Sequence, residues 1–258
     1  MKIMTYNVRY SNEIDGIYSW DNRKKLLTDI IIEQDPDVLS LQEAKPDQLE
    51  YIDSALPGYQ RVGEGRMRDG KPDEHCPIYF KNERFELAES RTIWFSETPH
   101  VPGSKSWGTT LPRIYTYAFL KDNNRGTQFG VINTHLEHKG HEARLKSIEI
   151  LLNKAKSLAY MPIVITGDFN LQEDYPGYKA MTKDGSMRDA RYISAKRPEG
   201  PSISTNGFGK FEQKTAIDYV FVNEGFNVKS HKTIENDPND IYPSDHYPIV
   251  CEIEWTEI

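Results

Sequence analysis

Eight polar side chains stand out because each closes, interrupts or precedes an apolar run: Asn7 in MTYN, Glu43 in LQE, His135 in NTH, Asp168 and Asn170 in GDFN, Asp218 in IDY, and Asp245 and His246 in SDH. Asp168 and Asn170 lie two apart after a strand-like run, so on an extended chain they share one face. A carboxylate beside an amide suits a base that orients or deprotonates water, next to a group that holds a phosphoryl oxygen. The Asp245–His246 pair can supply one metal ligand and one charge-stabilising imidazole. Asp218 sits inside an apolar run, where an ionised carboxylate is costly unless partnered, and a histidine is its natural partner. Hard oxygen ligands such as Glu43 and Asp245, with no thiolate cluster available, select Mg2+, with Mn2+ or Ca2+ as alternatives, over zinc. Plainer readings stand beside these: GDFN as an Asx turn, and Asp245–His246 as loop surface. Glu137 and His138 follow His135, so a zinc cluster competes, but the HExxH spacing is missing. His138 and His141 open the next helix and read as solvent-facing.

The elements that must position these groups follow from periodicity. KIMTYNVRY alternates as a strand, and RKKLLTDIIIEQ carries Leu26, Leu27, Ile30 and Ile31 on one helical face, with Pro36 just beyond. VLSLQE follows as a strand, and PDQLEYIDSAL as a helix with Pro46 in its first turn. The middle reads as strands YQRVGEG, CPIYF, FELAESRTIWFS, RIYTYAFL and QFGVINTHLE. HEARLKSIEILLNKAKSLA is a strong amphipathic helix leading into the buried strand MPIVITGDFN, and KTAIDYVFVN, FNVKSHKTIE and HYPIVCEIEW complete the strands. Twice the order is strand, long helix, strand, and both copies carry polar groups at the strand C-termini. Those ends are where α/β folds hold ligands.

Bulk properties set the outer bounds. With 258 residues, 37% hydrophobic and 28% charged, and no linker or low-complexity tract, residues 1–258 read as one globular domain. No apolar run is long enough for a stable membrane anchor, and no protein partner can be inferred. The opening MKIMTYNVRY lacks a basic-then-apolar leader, which fits a soluble cytoplasmic protein or a secreted one whose leader has been removed. Cys251, in YPIVCEIEW, reads as a core thiol, and two cysteines make no disulfide framework. The net charge of −7 argues against tight non-specific binding to duplex DNA.

MTYNVRY, LQE, NTHLEH, GDFN, IDYVF and SDHYP, in this order, together resemble the endonuclease/exonuclease/phosphatase superfamily. The resemblance runs from Asn7 to His246 and implies an α/β fold: a four-layer α/β/β/α sandwich of two packed mixed sheets, deoxyribonuclease-I-like, with the site at one end. It implies Glu43 as main metal ligand, with Asp245 and Asn7 completing or orienting the shell. Asp168 is expected to activate water, Asn170 to bind a phosphate oxygen, and His246, oriented by Asp218, to stabilise the transition state. His135 separates this chain from the abasic-site endonucleases, and Glu74 in DEHCPIYF is expected to pair with it and assist the leaving group, with His75 as an alternative. Arg113 matches an arginine that touches substrate phosphate, with a structural salt bridge as the competing reading. The resemblance implies a phosphoester substrate, nucleic acid or a small or lipid-linked phosphate, cut as a phosphodiesterase/nuclease or as a phosphatase. An inactive binding module is the third reading. TAIDYVFV stands where 5-phosphatases carry a tryptophan-cysteine-aspartate-arginine block, which counts against an inositol phosphatase. FSETPHVPGSKSWGTTLPR reads as a surface crossover, with a substrate lid bearing Trp107 as the alternative.

Overall fold

In a computed structural model, residues 1–67, 73–210, 215–235 and 241–257 are described. The chain begins with β1 (Lys2–Asn7), α1 (Trp20–Gln34), β2 (Val38–Gln42), α2 (Pro46–Ala55), β3 (Tyr59–Val62) and β4 (Ile78–Lys81). It continues with β5 (Phe85–Trp94), β6 (Ile114–Asp122), β7 (Thr127–His135), α3 (His141–Ser157), β8 (Ile163–Asp168), α4 (Pro176–Thr182), β9 (Arg188–Asp189) and α5 (Ala190–Ile193). The last strands are β10 (Asp218–Val222), β11 (Phe226–Thr233) and β12 (Ile249–Trp255). A strand was expected over 214–223, of which 218–222 form β10; Lys214 lies outside the described residues.

Two six-stranded sheets result, ordered β11-β12-β1-β2-β4-β3 and β5-β6-β7-β8-β10-β9. Both are mixed, because β1 runs parallel to β2 and β7 parallel to β8 across the two helical crossovers, while the other ladders are antiparallel. Leu27, Ile30 and Ile31 of α1 and Leu49 and Ile52 of α2 pack on Met4, Tyr6, Leu39 and Leu41, covering the outer face of the first sheet. Ile148, Leu151 and Ala155 of α3 and Met181 of α4 cover the second with Ile132, Ile163 and Ile165. Ile3, Val38, Phe80, Val131, Val164, Val220 and Ile249 fill the space between the sheets. Each such aliphatic side chain contributes roughly 1.5–3 kcal/mol of burial. The expected four-layer sandwich is the observed one.

α1 stops where Asp35 turns left-handed (φ 45°) and its N–H caps Ile31 O, immediately before Pro36. α2 starts on Pro46, with Gln48 Oε1 accepting the Lys45 N–H at 3.1 Å. The short elements α4, β9 and α5 were not expected. PGYKAMT looks like a loop for its Pro and Gly, yet Pro176 occupies the first helical turn, where its missing N–H costs nothing.

Candidate active site

Between the sheets the inward positions change from apolar to polar toward one end. Along β1 they read Ile3, Thr5, Asn7; along β7, Val131, Asn133, His135; along β8, Val164, Thr166, Asp168; and β10 enters with Asp218 ahead of Val220. A period of two therefore delivers four functional side chains to one inter-sheet mouth. The ladders align them, with Asn7 opposite Gln42, His135 opposite Asp168 and Asp218 opposite Asp168. Just behind, Gln42 Nε2 donates to Asn133 Oδ1 at 2.7 Å and Asn133 Nδ2 donates to Leu41 O at 2.7 Å, tying the two sheets together.

Backbone turns complete the site. Arg9 (φ 51°), Glu43 (φ 64°) and Asn170 (φ 50°) are all left-handed just past a strand end, a conformation costing on the order of 1 kcal/mol or more for a residue with a side chain. Glu43 is held by Asn7 Nδ2, donating to Oε1 at 3.1 Å, and by the Tyr10 N–H, donating to Oε2 at 3.1 Å. Asn7 Nδ2 also donates to Asp168 Oδ2 at 3.0 Å, so one buried amide bridges the two carboxylates. Asp168 Oδ1 accepts the Asn170 N–H at 2.9 Å, and Asn170 Nδ2 donates one of its two hydrogens to Leu136 O at 3.0 Å.

Asp168 is the hub. Its Oδ2 lies 3.5 Å from His135 Nε2 and 3.8 Å from His246 Nε2. Burial, and then the Asp218 charge, push its carboxyl up to about 7. His246 Nδ1 sits 2.8 Å from Asp218 Oδ2, which also accepts from Ser204 Oγ at 2.6 Å. Burial works against a charged His246, but Asp218 outweighs it and raises the imidazole well above its ordinary value. His135 goes the other way: burial first, then Arg113 and Arg66, hold it well below, as a neutral ring. Burial and the Glu43 charge both raise Asp245, although His246 opposes them.

This donor set fits a divalent cation. Ligand atoms of Glu43, His135 and Asp168 lie within 4.8 Å of one another, as do those of Asp168, Asp218 and His246. The Asp218 charge raises the Asp168 carboxyl and the Glu43 charge raises that of Asp245, a surplus of negative charge that a hard cation relieves. Asn7 turns its nitrogen to the carboxylates and its Oδ1 to the Arg9 N–H at 3.0 Å, which suits orienting the shell. Asp245 reaches toward Arg9 Nη1 at 3.9 Å.

One expected pairing is not formed. Glu74 and His135 line one small cleft with Glu43, but the direct pair is not formed: Arg66 Nη2 donates to Glu74 Oε1 at 2.6 Å and outcompetes a neutral imidazole. His75 turns its Nδ1 to the backbone carbonyl of Asp73 at 2.9 Å. Arg113 is buried; its Nη2 lies 2.9 Å from His138 Nδ1 and its Nε 3.6 Å from Glu137 Oε2, so the structural ion pair is present. His138 is solvent-facing as expected, and Arg113 holds it.

Several contributors were missed. Arg23, fully buried, donates to Val8 O at 2.6 Å, Arg9 O at 2.5 Å and Pro243 O at 2.8 Å, stapling the loop after Asn7 to the loop before Asp245. Ser244 Oγ donates to Asn7 O at 2.6 Å, and Ser204 Oγ accepts the Ile217 and Asp218 N–H groups at 2.9 and 3.0 Å. A cleft of about 1070 Å³ opens at the far end of the sheets beside Tyr160, Met161 and Trp255, and no candidate catalytic side chain lines it.

Comparison with known proteins matches residues 4–246 to the model described as the Endonuclease/Exonuclease/phosphatase family. A Bacteroides vulgatus protein of that description is 30% identical, with TM-score 0.93 over 99% of this chain and 98% of its own. A Bacteroides thetaiotaomicron mannosyl-6-phosphatase is 29% identical, with TM-score 0.91 over 99% of this chain and all of its own. Human Nocturnin is 26% identical over 92% of this chain, which spans 59% of that relative's length.

Proposed function

The chain belongs to the endonuclease/exonuclease/phosphatase family, a family of phosphoesterases, and from that premise we propose that it hydrolyses phosphoester bonds by in-line attack of a water held at Asp168, with Mg2+ as its ion. The observation that carries this reading is the Asp168 carboxylate, bridged to Glu43 by Asn7 and flanked by His135 and His246 Nε2 atoms at 3.5 and 3.8 Å.

Glu43 and Asp245 would hold the cation, with Asn7 orienting them; bound there, it supplies Lewis-acid charge to the phosphoryl oxygens. Asp168 accepts the proton of the attacking water. A carboxyl raised by burial is matched to that task near neutral pH. Asn170 gives its free amide hydrogen to a non-bridging oxygen. His246, kept protonated by Asp218, offers Nε2–H to the charge that grows on the phosphoryl group, a positioning role of the kind phosphoryl transfer rewards. His135 faces the leaving-group side as a neutral ring, with Arg113 and Glu74 along the same cleft.

Polynucleotide phosphodiesters are the first substrate reading, supported by likeness to the 3'-5'-exoribonuclease subunit Ccr4 of the Kluyveromyces lactis CCR4-Not complex, 24% identical over 92% of this chain, which spans 38% of that relative. A sugar phosphomonoester is the second, favoured by the end-to-end likeness to a mannosyl-6-phosphatase and by the net charge of −7. Turnover of RNA, single- and double-stranded DNA, mannose 6-phosphate and sphingomyelin, with Mg2+ or chelator, tests both. The nuclease reading fails if a sugar or lipid phosphate is hydrolysed while no polynucleotide is. Activity that survives chelation overturns the metal assignment, and no turnover of any phosphoester with Mg2+, Mn2+ or Ca2+ overturns the whole reading.

A further inference from the structure

Asp218 carries an unpaired oxygen. Its Oδ2 serves His246 and Ser204, but Oδ1 is buried with no hydrogen-bond partner. A buried carboxylate oxygen without a hydrogen-bond partner is rare in a folded protein. A second buried orphan faces the same space: His231, 4% exposed, has no partner on Nδ1. Both residues line a cavity of about 10 Å³ between the sheets, closed by Ala216, Tyr219 and Ile249. That volume approaches the room for a single water, about 10–15 Å³.

The strand that brings His231 there is built to do so. Phe226 and Val228 of β11 point inward, and period two would continue with Ser230 and Lys232. A β-bulge between Val228 and Ser230 shifts the count, so that His231 and Thr233 are buried instead. Bulges beside active sites commonly re-aim a side chain in this way. Asp189, also on the cavity wall, is already satisfied: its two oxygens accept from Arg191 N–H at 2.8 Å and Tyr178 O–H at 2.9 Å. Arg191 and Thr233 complete the wall, and Asp218 Oδ1 and His231 Nδ1 are its buried side-chain atoms without a hydrogen-bond partner.

We propose that His231 is a positioning residue for the Asp218–His246 pair, acting through one ordered water that donates to Asp218 Oδ1 and meets His231 Nδ1. The imidazole serves in either tautomer, because water both donates and accepts. With both oxygens engaged, the Asp218 carboxylate cannot rotate away from His246 Nδ1, and the imidazole keeps Nε2 aimed at the reacting phosphoryl group. His231 touches no substrate in this arrangement.

The inference rests on the catalytic assignment of Asp218 and His246, and one experiment separates the two. His231→Phe fills the ring volume without the nitrogen, while His231→Asn places an amide atom near the position of Nδ1. His231→Phe is expected to lower kcat about five- to tenfold, the effect of one lost neutral hydrogen bond, with KM unchanged. His231→Asn is expected to recover most of that loss. Wild-type kcat in folded His231→Phe, or an equal loss in both variants, overturns the proposal. A high-resolution crystal structure of the wild-type protein reads the cavity directly, whether or not the substitutions fold: one water within hydrogen-bonding distance of both atoms supports the proposal, and a dry cavity refutes it. Failure of the catalytic assignment shows differently, as an Asp218→Asn variant with normal turnover.

Discussion

Gly167→Ala places one methyl group where the architecture has no room. Gly167 lies at φ 148° beside Asp168, and a Cβ there would stand 2.1 Å from Thr134 O and 3.0 Å from Thr134 Cγ2. Thr134 pairs with Gly167 in the parallel β7–β8 ladder, one step before His135 meets Asp168. Ordinary contact needs about 3.5 Å, so β7 and β8 must part by roughly 1 Å or the backbone must twist. Backbone strain of about 1–3 kcal/mol and overpacking of about 1–3 kcal/mol sum to roughly 2–6 kcal/mol. For a chain of this size that lowers Tm by roughly 5–20 °C, at about 2–4 °C per kcal/mol. Separation of the strands also moves Asp168 from Asn7 and His135, and a 1 Å misplacement can cost about 100-fold in rate. Thermal melts and turnover of an activated phosphodiester below the melting temperature measure the two effects. Gly58→Ala is the control, since a methyl there meets nothing within 4 Å. If Gly167→Ala melts and turns over like Gly58→Ala, the strand-contact reasoning is wrong.

Asp168→Asn should reduce kcat at least about 100-fold, the scale of a lost general base, yet leave Tm at pH 8 unchanged or higher. The raised folded pKa means that burying the ionised form costs stability progressively as pH climbs from about 4 to about 7, with the full cost constant above that, a cost the neutral amide escapes. A large drop in Tm would contradict that sign. For His246, raised by Asp218, the pair's stabilisation is full below the ordinary histidine value near 6.5 and disappears as pH rises through the folded value. Asp218→Asn should therefore bring the His246 titration, read by NMR, down toward or below its ordinary value; an unmoved titration refutes the pairing as its cause. Saturating Mn2+ should raise Tm by several degrees, since ligand at about 100 times Kd contributes about 2.7 kcal/mol. Glu43→Gln should abolish most of that rise, and a full shift in the variant would remove Glu43 from the metal shell.

What was legible in the sequence was whatever repeats locally. The period of two that sends Ile3, Thr5 and Asn7 to one face, and Val164, Thr166 and Asp168 to another, is visible without any structure, as is the face of Leu27, Ile30 and Ile31 on α1. The two strand–helix–strand units foretold that the ends of β1, β2, β7 and β8 would meet. Arg23 was illegible for the opposite reason: its contact with Pro243 spans 220 residues, and nothing near WDNRKK marks one cation as buried. Ser204, inside PSISTN, is indistinguishable from an ordinary turn serine until Asp218 is placed beside it. The Glu74–His135 pairing failed because neighbourhood at a strand end does not settle competition, and Arg66, eight residues before Glu74, offers a charged donor where His135 offers a neutral ring.

The order of strands also governs how the molecule is made. The second sheet comes from residues 85–222, an unbroken stretch, whereas the first joins strands from residues 2–81 to strands from 226–255. β1, which carries Asn7, lies between β2 and β12. On a ribosome, β1 and β2 can pair early, but the other edge of β1 stays open until β12 arrives, and that hydrogen-bonding edge is buried only then. The nascent protein therefore carries an adhesive strand through most of its synthesis. Premature termination after β10 would yield an aggregating product, not a weakly active one.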